Sequence, residues 1–149
     1  MSTLQKDILS ILDELEKLVP SYFNIDEDKV KANGSVAVCI IDPAGNIYGR
    51  IFGEDKVLGR ERYRIAWLKA SQVWMTGIRT GEFEKMVFTG QLSEREFGLR
   101  RPDFIGWEGG QPIRLKDGAV LSVGFSGFRS SSDLEIMIKA VQAAGLWTI

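Results

Sequence analysis

The residues best suited to bind or transform a small molecule lie between Trp107 and Asp133. Arg114 could form a bidentate ion pair with a carboxylate, and the backbone amides that follow Gly127 could hold a second acidic group at the start of a helix. Arg129 would add positive charge there, and aromatic side chains would cover the apolar part of the ligand. The residues predicted to bind a small organic anion are Arg114, Gly127, Arg129, Ser130, Ser131, Lys69 and Trp107.

The same segment is also compatible with acid–base catalysis. A carboxylate whose pKa is raised by burial could move a proton while Arg114 stabilises an enolate-like charge. Such a protein would be a small isomerase, lyase or hydrolase that acts on an acidic metabolite without a cofactor. In the purely structural alternative, Arg114 fixes a hairpin through an acidic neighbour, Asp133 is a favourable charge at a helix N-terminus, and the glycines only permit turns. The residues predicted to be catalytic are Arg114, Asp133, Asp42 and Glu108.

The chain contains no histidine, and this restricts its chemistry more than any other feature. Ser-His-Asp and Cys-His catalysis are excluded, as are metal sites built on imidazole. The single cysteine, Cys39, lies in an apolar run and is predicted to be a buried, unreactive thiol. Any reaction must depend on carboxylate, lysine, arginine, tyrosine or backbone groups, and no metal site is predicted.

Length and charge describe an ordinary globular domain. A chain of 149 residues can bury a core without disulfides or metals, and a net charge of −1 provides no attraction to nucleic acid or to an anionic membrane. The charged N-terminal segment lacks the apolar core of a signal peptide, and no apolar run approaches the roughly 18 residues of a membrane span. We therefore predict one domain over residues 1–149, in the cytoplasm, with no nucleic-acid or membrane partner.

Hydrophobic periodicity predicts the elements that must position these residues. A helix with a Ser2–Gln5 capping box, ending before Pro20, precedes a strand buried on both faces. Small residues around Gly124 predict that another element packs closely on the last strand. Helices that cover an antiparallel sheet define an α+β domain. The predicted order is a helix over 4–18, one helical turn that starts at 26–28, strands over 35–42 and 47–52, and a helix over 57–79. A loop over 81–104 follows, which starts helix-like at 82–88. Strands over 112–116 and 119–126 come next, and then a helix over 133–144 opened by a Ser132–Glu135 capping box.

Two groups of side chains in the middle of the chain allow two interpretations each. The cations of the long helix could line a pocket for an anion or form a solvated flank, and they are Arg60, Arg62, Arg64 and Lys69. The aromatic residues of the following loop could roof a pocket or fill a subunit interface. They are Phe83, Phe88, Phe97, Phe104 and Trp107.

Several motifs, taken in order, resemble the GlcG/HbpS-like family. The family is also called the haem-degrading domain family and includes the C-terminal domain of a propanediol-utilisation adenosyltransferase. The resemblance covers roughly residues 4–144, and its specificity lies in the order and spacing of the motifs together. The motifs are VAVCIIDPAGNIYGR from Val36, Ala66-x-x-Lys69-Ala70, Gly109-Gly110-Gln111-Pro112-Ile113-Arg114, GAVLSVGFSG from Gly118, and Asp133.

The resemblance implies a profilin-like layered domain whose five-stranded antiparallel sheet is flanked by helices. It also implies a homo-oligomer and a site for haem or another small molecule. Because the chain has no histidine, a haem iron could be held only by Tyr22, Tyr48, Tyr63, Cys39 or a methionine. The predicted ligand is thus an organic anion or a tetrapyrrole such as haem, and the small cofactor-independent enzyme is the alternative.

Overall fold

Helices and strands follow one another in the predicted order. The computed structural model describes residues 2–99 and 106–147. The long predicted helix ends at Thr76, because Gly77 adopts φ +71° as its cap, and the helix-like start predicted at 82–88 forms a separate helix over Thr80–Phe88. The elements are α1 (Thr3–Phe23), α2 (Asp26–Ala32), β1 (Val36–Ile41), β2 (Ile47–Phe52), α3 (Lys56–Thr76), α4 (Thr80–Phe88), a 3-10 turn (Glu94–Phe97), β3 (Gly110–Arg114), β4 (Val120–Ser126) and α5 (Ser130–Ala143).

The strands form one antiparallel sheet in the order β2-β1-β4-β3, with four strands in the described part of the chain. The five strands implied by the resemblance are therefore wrong. The additional pairing that the structure shows beside β3 is a single bridge between Leu115 and Trp147.

The sheet is covered on both faces, and strand β1 shows this most clearly. Its alternate residues Val36, Val38 and Ile40 belong to the main core, which α1 and α5 complete. The intervening residues, which include Ala37 and Cys39, pack against small residues of α3 on the opposite face. Alternation of side chains along a strand explains why a continuous apolar run serves both layers.

Helix α3 lies unusually close to the sheet, as the small residues of β4 predict. A β-carbon on Gly124 would overlap the carbonyl oxygen of Ala66 and lie 2.7 Å from the backbone nitrogen of Ala70. Gly110, which is opposite Gly124 in the sheet, has no room for a side chain either, because Lys69 and Thr80 lie against it. The glycines thus bring the backbone of α3 and the side chain of Lys69 onto the strands.

Two predictions about helix ends are wrong. Helix α1 continues through Pro20 to Phe23, because Val19 and Tyr22 are buried in the core and hold the last turn. Pro20 itself is exposed, so water can reach the backbone group that it leaves unpaired. The Ser2–Gln5 capping box at the other end of α1 is confirmed.

The second wrong prediction concerns α5, which begins at Ser130 without a side-chain cap rather than after a Ser132–Glu135 capping box. The hydroxyl of Ser132 is used elsewhere, because it donates to Asp28 of α2 at 2.7 Å. Glu135 instead accepts a hydrogen bond from the hydroxyl of Tyr22 in α1. Tertiary partners have taken both side chains that the capping box would need.

Candidate functional site

A cavity of about 250 Å³ lies where the end of β4 and the start of α5 meet α2 and α3. Its wall combines aromatic and apolar groups with both signs of charge. The described residues that line it are Lys31, Arg62, Ile65, Lys69, Trp107, Glu108, Ser126, Gly127, Phe128, Ser130 and Asp133. We call it the Lys69 cavity.

Lys69 and Asp133 form a buried ion pair in the wall of the Lys69 cavity. The two side chains are each 3% exposed, and Lys69 Nζ lies 3.4 Å from Asp133 Oδ2. The same amine donates to the backbone oxygen of Phe125 at 2.8 Å. The other oxygen of Asp133 accepts the backbone N–H of Phe128 at 3.0 Å. Both groups are therefore held in place by the backbone that leads from β4 into α5.

Burial shifts both members of this pair toward their neutral forms. It raises the pKa of Asp133 to about 7, although the charge of Lys69 and the Phe128 N–H oppose the shift. Burial also lowers the pKa of Lys69, against the opposing effect of Asp133. Because a carboxyl with a raised pKa faces an amine with a lowered pKa, the pair is suited to exchange a proton.

The remaining charges make the Lys69 cavity favourable for an anion. Lys31, at the end of α2, and Arg62, on α3, add two cations to its described wall. Arg62 donates to the backbone oxygens of Ser35, Lys31 and Ala32, at 2.9 to 3.0 Å, so carbonyl groups rather than carboxylates hold it. Glu108 is paired with Arg79 outside the cavity at 3.2 Å. The cations Lys31 and Arg62 are thus less neutralised by ion pairs than the carboxylate of Glu108 is.

Groups at the start of α5 do bind a carboxylate, but this carboxylate is a side chain of the protein itself. Asp28 of α2 is completely buried and accepts the backbone N–H of Arg129 at 2.9 Å. It also accepts the Arg129 guanidinium at 3.1 and 3.2 Å and the Ser132 hydroxyl. Burial opposes ionisation of Asp28, but these hydrogen bonds together hold its pKa below the usual value. Arg129 therefore fastens α2 to α5 and does not line the Lys69 cavity.

We expect Asp28→Asn to lower the free energy of unfolding by about 2 kcal/mol, since hydrogen bonds to a buried charge are lost. The matched control is Asp26→Asn, in the same first turn of α2 but exposed, which should change stability by only a few tenths of a kcal/mol. Denaturant melts measure both. Because the folded pKa of Asp28 is lowered, its contribution is complete above the unfolded pKa and disappears as the pH falls through the folded value. A gap between wild type and Asp28→Asn that persists in acid would contradict this assignment.

The structure brings together only part of the predicted set of site residues. The members that line the Lys69 cavity are Lys69, Trp107, Glu108, Gly127, Ser130 and Asp133. Arg114, Arg129, Ser131 and Asp42 are not among the described lining residues. Lys31 was missed, because the sequence predicts only one helical turn that starts at 26–28, whereas α2 continues to Ala32 and brings Lys31 to the cavity.

Arg114 and Asp42 lie elsewhere for clear reasons. Arg114 is exposed on β3, four residues beyond Gly110, and at the rise of a strand this is about 13 Å along the sheet. Asp42 closes the turn between β1 and β2, where it accepts the N–H groups of Ala44 and Asn46. The carboxylate of Asp42 therefore stabilises this turn.

The cations of α3 and the aromatic residues of the loop after it each allowed two interpretations, and in both groups some residues fit one interpretation and some the other. Arg62 and Lys69 line the cavity, whereas Arg60 and Arg64 are exposed. Phe83 and Phe97 pack edge to face, with Leu99 in a small separate core. Phe88 is exposed and Phe104 lies outside the described residues, which leaves Trp107, 66% exposed, at the cavity.

Comparison with known proteins assigns the α+β domain to a family. The family model "Haem degrading protein HbpS-like" matches residues 25–142. The chain therefore belongs to the HbpS-like family, as its motifs predict. No curated protein matches the sequence significantly.

Solved structures with the same fold are distant in sequence. A PduOC:haem complex has a TM-score of 0.64 at 19% identity, covering 99% of this chain and 97% of its own. The Klebsiella pneumoniae protein ORFY has a TM-score of 0.63 at 20% identity, covering 94% and 88%. HbpS has a TM-score of 0.57 at 16% identity, covering 95% and 89%. At these identities the comparison shows the fold.

The family description raises the question of haem, and the Lys69 cavity does not fit a haem iron. Its described lining contains no histidine, tyrosine, cysteine or methionine. Cys39 is fully buried in the sheet, and burial raises the pKa of its thiol to about 11, against a hydrogen bond from Tyr63. Tyr22 is buried and donates to Glu135. The described residues of the Lys69 cavity therefore provide no such ligand for a haem iron.

The described residues contain neither a metal-binding cluster nor a membrane-spanning helix. No cluster of three or more histidine, cysteine, aspartate or glutamate residues there could hold a metal ion. No helix in 2–99 or 106–147 combines the length and apolar character needed to cross a bilayer. The homo-oligomer, the cytoplasmic location and the absence of a nucleic-acid partner stay predictions.

Proposed function

We propose that the protein binds a small organic anion in the Lys69 cavity. The observation that carries this proposal is the convergence of Lys31, Arg62 and Lys69 on one partly enclosed space of about 250 Å³. Three cations face the two carboxylates of Asp133 and Glu108 in the described wall, so the wall has an excess of positive charge that attracts an anion, and a low-dielectric wall strengthens the attraction. The volume is below the range of about 300–1,000 Å³ typical of drug-sized ligands, so it suits a small metabolite.

The wall divides into a charged part and an apolar part. Lys31 and Arg62 would hold the carboxylate, and Ser130 adds a hydroxyl at the positive end of the α5 dipole. Trp107 and Phe128 would contact the apolar part of the ligand, and the exposed indole of Trp107 can cover it. A carboxylic acid of a few carbon atoms has both features.

Reversal of one charge tests this proposal without damage to the core. Lys31 is exposed, so we expect Lys31→Glu to fold normally and to weaken binding of pyruvate and other small carboxylates by about tenfold or more. The matched control is Lys29→Glu, which is exposed on the same helix but does not line the cavity. Thermal shift in a series of carboxylates gives the readout, because a ligand at about 100 times its Kd stabilises by about 2.7 kcal/mol.

Either of two results would contradict the binding of an anion in the Lys69 cavity. The proposal fails if no carboxylate raises the melting temperature, or if Lys29→Glu weakens binding as much as Lys31→Glu. Titration with haemin is the companion measurement, and we expect a broad, unsaturated change in absorbance. A sharp Soret band at a stoichiometric ratio would instead establish a tetrapyrrole ligand.

A further inference from the structure

We propose that Lys69 forms a Schiff base with the carbonyl carbon of a 2-oxo acid bound in the Lys69 cavity. This inference rests on the proposed anion-binding function and names its substrate class and reaction. Lys69 belongs to the wall of this cavity, and its amine lies 3.4 Å from a carboxylate oxygen of Asp133, another residue of the wall. The other cations of the wall suit a carboxylate.

The amine is positioned for nucleophilic attack. Its hydrogen bond to the Phe125 backbone oxygen fixes the end of the side chain, and Asp133 lies 3.4 Å away as a proton acceptor. Gly109 provides the space, because a β-carbon there would approach Lys69 Nζ to 2.6 Å. Gly109 also has φ +119°, which a residue with a side chain rarely adopts.

Desolvation of Lys69 favours the reactive, unprotonated form of its amine. Nucleophilic lysines are commonly activated by desolvation in a protein interior. Burial lowers the pKa of Lys69, and each unit of such a fall raises the fraction of free amine at neutral pH by about tenfold. Lys31 lowers that pKa further, whereas Asp133 and Glu108 oppose the change. Arg62 adds another positive charge to the same wall.

The steps balance with Asp133 as the proton carrier. Asp133 takes a proton from the Lys69 ammonium, and the free amine attacks the carbonyl carbon to form a carbinolamine after one proton moves from nitrogen to oxygen. Protonated Asp133 then returns its proton to the hydroxyl, which leaves as water. A carbon–nitrogen double bond replaces the carbon–oxygen double bond, the product is a protonated imine, and no oxidant or reductant is consumed.

The choice of a 2-oxo acid follows from the arrangement of charge. The carboxylate that Lys31 and Arg62 would hold and the carbon that Lys69 would attack must be close together in a cavity of about 250 Å³. In a 2-oxo acid these groups are on adjacent carbon atoms. A 2-hydroxy acid offers the same carboxylate without an electrophile, and it is therefore the matched ligand that binds without reaction.

The test traps the imine in the wild-type protein. Pyruvate or 2-oxoglutarate is added with sodium cyanoborohydride, and intact mass followed by peptide mapping locates the reduced adduct. We expect one adduct per chain, with Lys69 labelled about tenfold faster than any other lysine. Excess lactate, which cannot form an imine, should protect Lys69 from labelling. Labelling spread evenly over exposed lysines, or no adduct with either acid, would overturn the proposal.

Variants separate this proposal from anion binding itself. Asp133→Asn retains an oxygen for the Phe128 N–H but cannot carry the proton, so trapping should slow by about tenfold or more while lactate still raises the melting temperature. Lys56→Arg, at the exposed start of α3, should leave trapping unchanged. If lactate and pyruvate both bind but no adduct forms, only the Schiff base is refuted. If neither acid binds, the proposed function fails with it.

Discussion

Replacement of Asp133 with alanine is expected to lower the free energy of unfolding by about 3–5 kcal/mol, the usual cost of leaving one member of a buried ion pair alone. Lys69 would lose the partner that offsets the desolvation of its amine, and the Phe128 N–H would lose its acceptor. For a domain of this length the melting temperature should fall by about 10 °C. Chemical denaturation with urea gives the free energy directly, and an unchanged slope would show that the denatured state is the same.

A double variant shows whether the loss comes from the unpaired charge. Lys69→Met with Asp133→Asn removes both charges and keeps an acceptor for the Phe128 N–H, so it should recover more than half of the stability that Asp133→Ala loses. The interpretation as a coupled pair would be wrong if the effects of Lys69→Met and Asp133→Asn simply add.

The second large effect is expected at Gly124, where Gly124→Ala should cost about 3 kcal/mol or more. Its new β-carbon would overlap the Ala66 carbonyl oxygen and approach the Ala70 nitrogen to 2.7 Å. Both neighbours are helix backbone, so relief requires a shift of α3 away from the sheet. That shift would also move Lys69, whose β-carbon lies 2.9 Å from the same position.

The control for this prediction is Gly118→Ala. Gly118 has φ +95° in the turn between β3 and β4, and a β-carbon there would meet no atom within 4 Å, so alanine should cost only about 1 kcal/mol of backbone strain. Equal destabilisation by the two variants, measured by urea denaturation, would mean that close packing of α3 on Gly124 is not important.

The layers of this fold could be predicted from the sequence, because the local hydrophobic patterns agree with the packing of helices on the sheet. The run from Val36 to Ile41 predicts a strand buried on both faces, and the structure confirms it. Glycines on β4 predict a close neighbour, which is α3. The fifth strand was wrong because it came from the resemblance and not from a pattern in these residues.

The site was harder to predict because distant contacts decide it. Arg129 and the first turn of α5 do bind a carboxylate, but Asp28, about 100 residues away in the sequence, supplies it. Nothing local distinguishes Asp28 from the exposed Asp26 beside it. Arg114 fits a carboxylate equally well by residue type, yet its place on β3 takes it away from the Lys69 cavity.

The most direct test of the account is a titration of isotopically labelled protein with pyruvate, followed by the backbone amide resonances. The account predicts shifts that saturate and that centre on Gly127, Ser130 and Lys69, three residues that β4, α5 and α3 bring to the cavity. Shifts that rise linearly without saturation, or that centre on Arg114 and the exposed end of β3, would contradict the assignment of the Lys69 cavity as the binding site.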